Sequence, residues 1–222
     1  YLLDVKRLLD GDTYFDKEEV NGGACRSAAE HSEITIWRKE EILKVSIHEL
    51  IHALSYDYKQ DTSDIIQHYQ RKYGVTSPKM NTYEAYTEIY AELLHSYMIS
   101  HIYHKLNPTF NSYDLFVSNV GIEIEFSQLQ ATKILSLVDS NKDMNKDTNV
   151  CAYYIIKLEL YQNLYSFIQF CITYNKDIIK LIDTSKYFEY LKGLSKVHKK
   201  KYKVSGYLQH TTRMTCLEID LF

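Results

Sequence analysis

Apolar residues recur at helical spacing over most of this chain. Between about residues 38 and 55, Leu43, Ile47, Leu50, Ile51 and Leu54 fall on one stripe of an α-helix. Residues 61–73 form a shorter helix that ends at Gly74. Beyond Ser77-Pro78 a longer helix is predicted over about 81–103, with Asn81 or Thr82 as its N-cap. Past Asn107-Pro108 the pattern predicts helices over roughly 112–139, 148–174 and 184–197. Two stretches break the rule: Glu33-Ile-Thr-Ile-Trp37 reads as a strand, and 202–222 as one or two short strands. Residues 1–20 read as a short amphipathic helix followed by a charged turn, and Asn21-Gly22-Gly23-Ala24 is the clearest early break. The polar segment 139–149 lacks the Gly and terminal Glu of a calcium-binding loop and reads as a solvated linker. The fold class expected is α+β and predominantly helical.

Composition narrows the function. The 222 residues are 45% hydrophobic, with two Pro and seven Gly, enough for a sizeable core and too few turn residues for a many-stranded β fold. A net charge of −3 provides no global basic field, so no nucleic-acid partner is expected. No apolar run reaches membrane-spanning length, and no signal peptide opens the chain, so no membrane partner is expected. Cys25, Cys151, Cys171 and Cys216 are far apart without a Cys-x-x-Cys pair, which predicts reduced thiols in a cytoplasmic compartment. The chain begins at Tyr1 rather than Met, which predicts a processed or excised domain.

The chemistry lies in His48-Glu49-Leu50-Ile51-His52. Residues i and i+4 of a helix share a face, so both imidazoles can grip one Zn²⁺ while Glu49 reaches a water on the metal. Such a site suits metal-assisted hydrolysis, usually of a peptide bond. A third ligand is needed. Glu84, Glu88 and Glu92 lie at i, i+4 and i+8 on the next long helix, flanked by Ala85, Ile89, Tyr90, Ala91, Leu93 and Leu94. A carboxylate stripe on a helix apolar nearly all round must find partners.

The run Glu84-Ala-Tyr-Thr87-Glu88 after this motif resembles the third-ligand helix of the gluzincins, the thermolysin-like metallopeptidases. The resemblance runs from the strand near Ile34 to Leu94. It implies Glu84 as the third zinc ligand and Glu88 as the carboxylate that orients a zinc-binding His. Tyr83 stands where the family has Asn, and the 31 residues from His52 to Glu84 exceed the family spacing. It also implies a small edge sheet, here Asn21–Cys25 and Glu33–Trp37, packed on the motif helix and pairing with substrate. Residues 1–106 would then be the catalytic core, and 107–222 a mostly helical subdomain packed on it.

The function expected is a zinc-dependent peptidase acting on a peptide or protein, with His48, His52 and Glu84 on the metal and Glu49 as general base. An oxyanion donor is expected from the C-terminal half, and His210 is the candidate, with Tyr207 behind it. Two rival readings stand beside it. One is a carboxypeptidase-type exopeptidase in which Arg213 grips the terminal carboxylate; the other is a helical interaction protein with a vestigial zinc site. Cys25 as a cap on the metal and Lys196–Lys203 as a dock for an acidic surface are lesser alternatives to a plain thiol and a solvated turn. Oligomeric state is left open.

Overall fold

Arg7 and two glycines shape the entry to the fold. The computed structural model describes residues 2–9, 17–27, 31–57, 60–139 and 148–218. Residues 2–9 run extended, bridging Arg38 through Leu3 and Thr211 through Leu8, and they bury the Arg7 side chain. A single turn, α1 (Lys17–Val20), leads through Gly22 into β1 (Gly23–Ser27), which pairs antiparallel with β2 (Ser32–Ile36), Gly23 opposite Ile36. There follow α2 (Ile42–Ala53), α3 (Ser63–Tyr73), α4 (Thr82–Leu106) and α5 (Ser112–Asp139). A π-helical turn (Cys151–Ile156) runs into α6 (Lys157–Gln162), and α7 (Leu164–Tyr174), α8 (Thr184–Gly193) and α9 (Tyr207–His210) complete the chain.

The architecture is predominantly helical α+β, with one small antiparallel sheet. α4 is its axis, because a helix apolar on almost every face must be enclosed. α2, α5, the π-helical turn and α6 all pack on it, and the sheet packs on α2. One hydrophobic cluster runs through both halves of the chain, from Val20 through Ile51, Tyr86 and Ile89 to Phe167, Leu191 and Met214. Each methylene buried there contributes about 0.8 kcal/mol. No described helix is long and apolar enough to cross a membrane, and none of the four cysteines forms a disulfide.

Several expectations are corrected. Residues 2–9 are extended rather than helical, because backbone hydrogen bonds tie Leu3 to Trp37 and Leu9 to His210. Residues 202–218 contain no strand; α9 and an irregular segment take their place, and the carboxylates of Glu41 and Glu123 accept the backbone N–H groups of 214–217. The single helix over 148–174 is three pieces, parted at Asn163. The predicted stripe of α2 is rotated: Leu50 and Leu54 are half exposed, whereas Lys44, His48, Glu49 and His52 are buried. At the start of α4, Asn81 occupies the cap position but its side chain does not cap; Asp61, from the loop before α3, accepts from Thr82 N at 3.0 Å. Most of the polar loop 139–149 lies outside the described residues.

Candidate metal centre

α2 and α4 lie against each other, so the two motifs that carry metal-ligand residues meet. His48 Nε2, His52 Nε2 and a Glu84 carboxylate oxygen form a triangle with edges of 3.0, 3.2 and 3.3 Å. Bonds of about 2.0–2.1 Å to a tetrahedral zinc would set ligand atoms about 3.3 Å apart. The triangle therefore has the dimensions of one face of such a site.

The outer nitrogens of both rings are anchored. His48 Nδ1 faces Glu88 Oε2 at 2.7 Å, and His52 Nδ1 faces Asp57 Oδ2 at 2.8 Å. With each Nδ1–H donating outward, the two Nε2 lone pairs point inward, the tautomer a metal ligand needs. Glu88 is itself held by Lys44 Nζ at 2.6 Å. Burial pushes the Glu88 carboxyl up, but Lys44 and His48 more than reverse this, so it stays ionised. Burial likewise opposes charge on Glu84, and the hydrogen bonds from His48 and His52 hold its carboxyl well below the usual range. Burial pulls the His52 imidazole down, yet Asp57 and Glu84 outweigh it and raise it to about 10. Three lone-pair-bearing groups have been brought together, and without a metal only protons can relieve them.

Glu49, on the same helix, is buried beside the triangle without belonging to it. Burial raises its pKa, Glu84 adds to the rise, and His48 and His52 oppose it. A carboxylate made more basic in this way suits proton abstraction. Gly23 makes room for it: a Cβ on Gly23 would stand 3.2 Å from Glu49 Oε1 and 2.7 Å from Val45 Cγ1. The first strand therefore approaches α2 closely only because its opening residue has no side chain.

The cleft over these groups has a volume of about 310 Å³. β1 forms one wall through Gly23, Ala24 and Cys25, and Tyr83, Asn149 and Tyr153 form the other. The π-helical turn, a geometry concentrated at functional sites, brings Tyr153 to the ligands. Its hydroxyl donates to Glu84 at 3.1 Å and accepts from Asn149 Nδ2 at 3.3 Å, and its ring meets His48 edge to face.

The structure thus brings together His48, Glu49, His52, Glu84 and Glu88. It does not bring His210 to them: that residue is exposed on α9 and lines no part of the cleft, because the N-terminal segment holds α9 through Leu9 N–H and the His210 carbonyl. Tyr207 donates instead to Glu40, and Arg213 is paired with Glu218 at 2.7 Å. Sequence reasoning missed Asp57 and Tyr153. An acid at the turn just after the motif helix was a readable signal for Asp57; among 21 tyrosines nothing singled out Tyr153. No family model matches the chain, and no curated protein or solved structure matches it either, so the chemistry of these side chains carries the functional reading.

Proposed function

We propose that the protein is a zinc-dependent peptidase of gluzincin type. The observation that carries the reading is that Glu84, unlike the other two buried acids on α4, meets histidines in place of a lysine. Glu84, Glu88 and Glu92 are buried one turn apart on α4. Glu88 has Lys44 and Glu92 has Lys157 Nζ at 2.5 Å, but among the described residues no lysine or arginine pairs with Glu84, which meets two histidines and the Tyr153 hydroxyl. Buried charge is paired or coordinates a metal, and the donor set here, two imidazoles and a carboxylate with an open side toward the cleft, is that of a catalytic zinc.

A zinc ion held there would acidify water and polarise a carbonyl. Glu49 accepts the proton of the attacking water and delivers it to the leaving amine. Tyr153 turns its O–H from Glu84 to the oxygen that gains negative charge, the role for which His210 is the candidate in the sequence. Elemental analysis of the purified protein tests the reading: about one zinc per chain is expected, lost in Glu84→Ala, together with chelator-sensitive hydrolysis of an unstructured protein substrate. A zinc-free protein that hydrolyses nothing after zinc is added would leave the interaction-protein reading in its place.

A further inference from the structure

The mouth of a second, smaller cavity of about 30 Å³ adjoins the cleft; Asn21, Gly23, His48, Glu49 and Tyr153 line both. The rest of its lining carries two buried cations, Arg7 and Lys44, and the Glu88 carboxylate, beside Val20, Val45 and Met214. Lys44 is committed to Glu88. Arg7 is committed on one edge only: Nη1 meets Glu41 Oε2 at 2.6 Å, and Nε has no hydrogen-bond partner among the described residues although the side chain is 99% buried, 1% of its surface being exposed. A buried guanidinium nitrogen without a partner is costly, and because Arg7 lines the cavity, a ligand there that draws the guanidinium toward it would relieve that cost.

Gly22 and Gly23 connect the two spaces. Arg7 Nη2 lies 2.6 Å from where a Cβ on Gly22 would stand, and Glu49 Oε1 lies 3.2 Å from where a Cβ on Gly23 would stand. Consecutive residues thus leave the base and the arginine facing one stretch of backbone with no side chain between them. The Nε–Nη2 edge of a guanidinium is a fork that matches the two oxygens of a carboxylate. The volume suits a group of that size and no large side chain, since a single water needs about 10–15 Å³.

We infer that this inner cavity is a carboxylate-binding subsite, with Arg7 as the residue that selects substrates carrying a carboxylate beside the bond to be cut. The inference rests on the proposed peptidase activity for its consequence, but its binding can be measured without catalysis. The carboxylate has two sources, an Asp or Glu side chain or the free end of a chain, and Arg7 takes the place that Arg213 does not occupy.

The test is equilibrium binding of matched peptides to the zinc-supplemented Glu49→Gln protein by titration calorimetry. One pair differs only by an internal Glu or Gln with both ends blocked; the other differs only by a free or amidated C-terminus. The carboxylate member of one pair is expected to bind about 10–100-fold tighter, the range of a charged hydrogen bond, and which pair responds identifies the source. The preference should vanish in Arg7→Met/Glu41→Gln, which removes both partners together, and in Gly22→Ala, whose Cβ would stand 2.6 Å from Arg7 Nη2 and so displace the guanidinium without altering charge. Equal affinity within each pair, no binding of either member, or a preference that survives Gly22→Ala overturns the subsite. Should the double variant not fold, Gly22→Ala decides alone. Carboxylate preference in a protein that never cleaves would sink the peptidase reading and keep the subsite; cleavage without preference would do the reverse.

Discussion

The two ends of the carboxylate stripe on α4 show how one sequence pattern serves two purposes. At Glu92 the acid is closed off: Lys157 and the Tyr161 hydroxyl each take one oxygen, and Lys157 also donates to the Met214 carbonyl, so helix, helix and C-terminal segment are joined. At Glu84 the acid is left open: two histidines and a tyrosine surround it, and the cleft lies above. Glu88 stands between, one oxygen on Lys44 and the other on His48. The same residue type at the same spacing is structural where lysine answers it and chemical where nothing permanent does. A buried ion pair adds little net stability, but removing one partner leaves a costly orphan.

Changing the open end should affect rate most. Glu49→Gln keeps shape but cannot accept a proton, so hydrolysis is expected to fall about 10²–10⁴-fold or more, with zinc content and melting temperature retained. A fully active variant would remove the proposed mechanism. Tyr153→Phe should lower turnover about 10²–10³-fold with little change in KM, the usual consequence of losing an oxyanion donor; unchanged kinetics would return the donor role to an unassigned group.

Changing the closed end should affect stability instead. Lys157→Met strands Glu92 in the core and is expected to cost about 3–5 kcal/mol, read by denaturant unfolding, while zinc bound per folded molecule stays constant. Loss of zinc without loss of stability would erase the distinction between the two ends. Intermediate behaviour is expected of the anchors behind the rings. Glu88→Gln and Asp57→Asn should each weaken zinc affinity about 10–100-fold, measured by competition with a chromophoric chelator; an unaltered affinity for Asp57→Asn would confine the orienting role to Glu88.

The last expected effect concerns pH. His52 in the metal-free protein has its pKa raised to about 10, against about 6.5 in an unfolded chain. Its stabilising contribution is fully present below about pH 6.5 and is lost as pH rises through about 10. The metal-free protein should therefore melt progressively lower across that window. With zinc bound the metal replaces the proton, and this decline should disappear; identical slopes with and without zinc would mean that His52 is no ligand.

Taken alone, the chain determined the helices whose apolar residues repeat, the strand near Ile34, and the pairing of His48 with His52 one turn apart, because these depend on neighbours a few residues away. It also offered Glu84 and Glu88 as partners, through a stripe that could not stay unpaired on so apolar a helix. Tertiary structure alone decided the rest. Lys44 and Arg7 acquire roles from what lies opposite them, at separations along the chain that no local pattern encodes. Tyr153 comes forward only because a π-helical turn rests on α4 beside Glu84. The N-terminal segment, read as helix, is extended because Trp37, Arg38 and residues 210–212 supply backbone partners. His210 misleads for the same reason: its polar, glycine-led surroundings resemble a site locally, but hydrogen bonds to Leu9 and Arg7 hold that stretch against the N-terminal segment. Local periodicity fixes which face a residue shares, whereas long-range packing fixes what that face meets.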